Sequence, residues 1–201
     1  MNPRKSIHER IEGVRDFNLI YIFCEGIKRE VSYFDFFNRL NSRIIRIMDH
    51  VDGHQTPMGL FNTAVNKFFG SNGNPEFEFV DGDQAWFVVD TDQYLDEIRN
   101  LRLELREKNN WFIAQSNPCF EVWLYYHFYN VKPDQHIINW KMFLNEKVVG
   151  GFDNRKHPYL IEEAIKNSKK NFSLNGENPD LNCTEVHNLS ERIVPLVSIK
   201  L

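Results

Sequence analysis

Glu25, Asp90 and Asp92 are the residues of this chain whose types and spacing best suit joint chemistry. Glu25 closes the apolar run LIYIFCEG (19–26), and the two aspartates close AWFVVDTDQ (85–93), with only Thr91 between them. An Asx turn accounts for a lone Asp-Thr-Asp, and helix-dipole pairing accounts for a lone glutamate ahead of a helix. Three carboxylates gathered at one edge are another matter, because they repel unless protonated or bridged by a cation. A hard divalent ion such as Mg²⁺ or Mn²⁺ prefers oxygen ligands and keeps part of its water shell for a phosphate substrate. Its work there would be to polarise a phosphodiester, ready a water nucleophile and stabilise the leaving oxygen.

Whether the three acids meet depends on the elements that carry them. LIYIFCEG reads as a short strand, and IKREVSYFDFFNRL (27–40) as a helix, with Ile27, Val31, Phe34, Phe37 and Leu40 at helical spacing. Strand, glycine turn and helix open an α/β unit. RIIRIM (43–48) predicts a second strand whose arginines mark an edge or partly exposed position. A helix is expected over 58–69, then a polar insertion over 71–84 that is partly extended at 77–80. AWFVVD (85–90) has the continuous β-prone character of a buried parallel strand. A polar helix over 93–109 and a strand WFIAQS (111–116) follow.

SNPCFEVWLYYHFYN (116–130) predicts a helix capped by Asn117, with Pro118 at its first position. Residues 134–201 show no strand pattern and read as helices near 134–147, 158–169 and 183–197. The expectation is an α/β fold: a small, mostly parallel sheet flanked by helices, with a helical C-terminal part. It divides into a polar arm (1–18), a catalytic core (19–130) and a helical extension packed on the core (131–201). Ligand sites in such sheets lie at the carboxyl ends of the strands, where Glu25, Asp90 and Asp92 fall.

The chain has 201 residues, 42% hydrophobic with seventeen Phe, enough for one well-filled core. With 24 Lys+Arg against 28 Asp+Glu, its formal charge of −4 argues against a uniformly basic nucleic-acid coat. Cys24, Cys119 and Cys183 are far apart, without a CxxC pair, which suits reduced thiols in a cytoplasmic protein rather than a zinc site. No apolar run reaches the length of a membrane span.

LIYIFCEG with Glu30 and YFDFF, AWFVVDTDQ, and SNPCFEVWLYYHF together resemble the RloB-like family, within the wider group sharing the topoisomerase–primase (TOPRIM) fold. The likeness runs from about residue 19 to the helix containing TEVHNL (184–189), and SNPCFEVW is its most specific part. The resemblance implies a metal-dependent phosphotransfer site, with the glutamate after the first strand, as acid/base or ligand, at Glu25. It places the metal-holding DxD aspartates at Asp90 and Asp92. Family members usually carry Glu-Lys-Thr-Glu after the glycine; here Ile27-Lys28-Arg29-Glu30 keeps Glu30 but puts Arg29 in place of the small Thr. In the last motif Cys183 departs from the pattern, while Thr184 and His187 match it. The resemblance further implies a Mg²⁺-dependent nuclease, acting on DNA or RNA in phage defence, beside a partner ATPase. The chain has no GxxxxGK[ST] motif of its own.

Other residues carry two readings each. Glu30 and Glu121 either join the catalytic acids or face water and pair with a helix dipole. Lys28 and Arg29, beside Glu25 at a helix start, suit a phosphate, and Asn117 suits either a cap or a substrate contact. His127 and His187 read as core histidines or bases. In DHVDGHQTP (49–57), His50 and His54 sit four apart in an expected loop. Arg99, Arg102 and Arg106 form either a basic stripe for a nucleic-acid backbone or a solvated helix face laced with glutamates. Two further functions fit the same residues. One is a non-catalytic binding or regulatory module that docks through its helical tail, with Trp140 and Phe143 exposed. The other is a metal-dependent phosphatase or nucleotidyl transferase.

Overall fold

The computed structural model describes residues 17–48, 55–70, 73–91, 94–133 and 137–197. Its first half alternates strand and helix: β1 (Ile20–Cys24), α1 (Arg29–Leu40), β2 (Ile45–Ile47), α2 (Pro57–Phe69), β3 (Gln84–Asp90), α3 (Leu95–Arg106) and β4 (Trp111–Asn117). The second half holds α4 (Glu121–Tyr125), α5 (Trp140–Lys147), α6 (Ile161–Asn171), a small hairpin of β5 (Leu174–Asn175) and β6 (Asn178–Pro179), β7 (Cys183–Thr184) and α7 (Val186–Ile193).

The main sheet has the order β2-β1-β3-β4-β7. Its first four strands are parallel, and β7 joins β4 antiparallel. Side chains alternate between its two faces. Ile20, Ile22, Cys24, Trp86, Val88 and Ala114 meet one group of helices, including Tyr33, Phe34 and Phe37 of α1, Trp123 of α4 and Leu189 of α7. Tyr21, Phe23, Phe87 and Val89 meet α2 and α3 on the other, through Phe61, Phe68, Ile98 and Leu101. Both faces of β1 and β3 are covered, hence their unbroken apolar sequences. The expected α/β architecture with a mostly parallel sheet is the one observed, and β2 is the edge strand, its Arg46 exposed. Thr56 starts α2, its Oγ1 accepting from the Gly59 N–H at 3.2 Å.

Three local expectations are corrected. The C-terminal part does contain strands, and one of them, β7, belongs to the main sheet. A two-residue strand is too short to leave an alternating pattern. Consequently the last helix begins at Val186 rather than 183, and it passes into a 3-10 turn, Val194–Leu196, around Pro195. The expected helix over 116–130 shrinks to α4, because Asn117 stays in the sheet opposite Cys183; the Asn117–Pro118 bond is cis. Asn117 caps nothing there; its Nδ2 donates to the Pro179 carbonyl at 2.8 Å.

Candidate active site

The Glu25 N–H donates to the Val88 carbonyl at 3.0 Å, extending the β1–β3 pairing by one residue. In return the Asp90 N–H donates to Glu25 Oε2 at 3.0 Å. The two candidate acids of neighbouring strands are thereby locked together at the carboxyl edge, each half-buried. By alternation Asp90 lies on the face of Trp86 and Val88, toward α1 and α4.

Thr91 has a structural task. It is buried, its N–H reaches the Ser116 carbonyl at 2.9 Å, and its hydroxyl donates to that same carbonyl at 2.8 Å. Gln115 Nε2 donates to the Thr91 hydroxyl at 2.8 Å, and Arg102 donates to Gln115 Oε1 at 2.7 Å and to Glu185 Oε2 at 2.8 Å. Ser116 and Thr184 share a hydroxyl bond of 2.8 Å. The Asp90 strand end is therefore braced from α3 through β4 to β7.

Glu30 is buried in the first turn of α1, folded against Gly26 so closely that a side chain at Gly26 would collide with its carboxylate. Burial raises its pKa and Glu121 adds to the rise; its own backbone N–H and Arg29 act the other way. Glu121 pairs with Arg29 at 2.6 Å, so Arg29 neutralises one of the candidate acids. Cys24 and Cys119 also belong to this neighbourhood. Burial raises both thiols' pKa values; Glu30 and Asp90 add to the effect at Cys24, as do Glu121 and Asp90 at Cys119. The sequence marks these cysteines as reduced thiols but does not place them beside the acids, although Cys24 shares its parity with Ile20 and Ile22, and Cys119 adjoins the Asn-Pro turn.

The structure thus brings Glu25, Asp90, Glu30 and Glu121 to one edge, with Lys28 and Arg29 at the same end of α1. Asn117 is engaged by Pro179 instead. Asp92, His50 and His54 lie outside the described residues. Among the described residues no group of three His, Cys, Asp or Glu side chains is placed to hold a metal ion. Glu25 and Asp90 supply two hard oxygen donors on adjacent strands, a set that fits a Mg²⁺-class ion retaining water and substrate ligands.

The remaining candidates are structural. His127 bonds the Tyr33 hydroxyl and the Trp123 carbonyl, each at 3.1 Å, and burial lowers its pKa to about 3. His187 bonds Ser168 at 3.0 Å and is lowered to about 4, again by burial. Arg99, Arg102 and Arg106 pair with Asp96, Glu185 and Glu177, so they form a charge-laced face rather than a free basic stripe. Trp140 is buried against Tyr125 and Phe143, not exposed for docking.

With this geometry in place, comparison with known families is decisive on one point. A family model described as RloB-like protein matches residues 20–193. The chain belongs to the RloB-like family. The match runs from the first residue of β1 to the last of α7, so the C-terminal part of this RloB-like protein is as much a family feature as the sheet. Searches of curated proteins and of solved structures find no match. No helix among the described residues is long and apolar enough to cross a membrane.

Proposed function

We propose that this RloB-like protein is a Mg²⁺- or Mn²⁺-dependent nuclease of TOPRIM type. The observation that carries the reading is the coupling of Glu25 to Asp90 at the carboxyl edge of adjacent parallel strands, where an α/β sheet presents its ligands. Glu25 and Asp90 would hold the ion, with Asp92 following in sequence. Once bound, the ion would supply Lewis-acid polarisation of the scissile phosphate and a more acidic water.

The chain's own residues have separate tasks. The Asp90 N–H orients Glu25, and the Thr91–Ser116 bonds hold Asp90 in register. Arg29 spreads its charge over Glu121 and limits repulsion among the acids. Glu30, whose pKa burial raises, is suited to give and take a proton beside them. Partnership with an ATPase in phage defence belongs to this same reading through the family resemblance, and a place in the cytoplasm through the free thiols.

A second reading, a binding or regulatory module, draws on the lack of a three-ligand group among the described residues. Hydrolysis separates the two. End-labelled DNA and RNA, and bis(p-nitrophenyl) phosphate as a minimal diester, are incubated with the protein and Mg²⁺ or Mn²⁺. Cleavage that is lost on chelation and in Asp90→Asn supports the nuclease. No cleavage of any diester supports the module, cleavage unchanged in that variant overturns the Glu25–Asp90 site, and turnover of p-nitrophenyl phosphate alone supports a phosphatase.

A further inference from the structure

A cavity of about 410 Å³ opens beside the acidic edge, between the start of α1, the start of α4, and α5 with the loop that follows it. Lys28, Arg29 and Glu121 form its inner wall, and Lys141 and Asn154 its outer one. The outer wall belongs to the C-terminal part of the chain, which the sequence gives no reason to connect with the acids.

Three cations face one carboxylate here, and Glu121 is already matched to Arg29. Lys28 and Lys141 are exposed, and neither pairs with a carboxylate among the described residues. Asn154 lines the cavity beside Lys141, with its Oδ1 turned away from solvent. A cavity with surplus positive charge fits a polyanion. A second cavity, of about 540 Å³, is lined by Arg102, Arg106, Trp111 and Glu177 toward the opposite end of β4, away from the acids. Its Arg102 and Arg106 are already paired, and nothing in it singles out an occupant.

We infer that the cavity between α1 and α5 is a phosphate subsite for the nucleic-acid strand, with Lys28 and Lys141 holding strand phosphates on either side. The inference rests on the nuclease reading for the identity of the ligand, and it makes the C-terminal part a wall of the substrate cleft. Lys141 acts by binding and takes no part in bond cleavage.

The test is the salt dependence of binding of a short fluorescein-labelled oligothymidylate or oligouridylate to the full chain in EDTA, which suppresses cleavage. Wild type, Lys141→Ala, Lys141→Arg and, as a remote control on α6, Lys166→Ala are compared. Lys141→Ala should weaken binding several-fold and flatten the slope of log K against log salt by about 0.7, one phosphate contact on a single strand. Lys141→Arg should restore both, Lys166→Ala should change neither, and all four should melt alike, because Lys141 is exposed. Lys141→Ala behaving as wild type, or a wild type without salt-sensitive binding, would overturn the subsite. Diester hydrolysis is scored separately. If it persists while Lys141 proves irrelevant, the subsite alone fails; if it is absent while Lys141 still sets the slope, the chemistry alone fails.

Discussion

The Asp90 N–H donates to Glu25 Oε2 across 65 residues of sequence, so one candidate catalytic acid is oriented by the backbone of the next. Glu25→Gln keeps an acceptor for that N–H, whereas Glu25→Ala removes it and costs about 1 kcal/mol. Gln should therefore melt within a degree or so of wild type while losing metal-dependent diester cleavage about 100-fold. Thermal melts and initial rates on the same samples check this.

Gly26 holds its place because Glu30 occupies the space a side chain would need. Gly26→Ala must push the Glu30 carboxylate aside. If Glu30 serves the reaction, Gly26→Ala and Glu30→Ala should each lower the rate, and the double variant should be no worse than Glu30→Ala alone. Additive losses in that cycle would mean that Gly26 acts through something other than Glu30.

Arg102 and Glu185 form a largely buried pair, with side chains 15% and 12% exposed. Arg102→Met strands Glu185 and should cost about 3 kcal/mol at neutral pH. Burial already holds the pKa of Glu185 above its ordinary value, despite Arg102, and losing the arginine raises it further. A raised folded pKa means that stability is greatest below the unfolded pKa and falls as pH rises through the folded one. The deficit of Arg102→Met should therefore shrink toward pH 4, which denaturant melts at two pH values would measure.

His127 and His187 are buried neutral, with pKa values near 3 and near 4. Both folded values lie below the unfolded one, so the stability they contribute is present above about pH 6.5 and lost as pH falls from there. Each should cost about 1.4 kcal/mol per pH unit below that point. Replacing His127 with Gln, which keeps hydrogen-bonding capacity toward Tyr33, should reduce the pH slope of stability between pH 6 and 5 by one proton. An unchanged slope would mean that His127 is protonated in the folded state.

The sheet was legible because each buried strand is a short run of apolar residues ending in a polar one, and each early helix shows its stripe. The cis Asn117–Pro118 bond and β7 were not, for a physical reason. Asn-Pro followed by an apolar run has the composition of a helix start, and only the distant pairing of Asn117 with Cys183 overrides it. The acids were legible as strand ends. Their partners were not: Arg29 with Glu121, and Thr91 with Gln115, are contacts between parts of the chain that no local pattern connects. Lys141 reads as one more surface lysine until α5 is placed opposite α1.

The most direct test of the account is titration of Mg²⁺ and Mn²⁺ by calorimetry into wild type and Asp90→Asn, with circular dichroism recorded on both. The account predicts saturable binding to wild type and its loss in a variant whose spectrum is unchanged. Equal binding by both proteins, or none by either, would contradict a metal site built on Glu25 and Asp90.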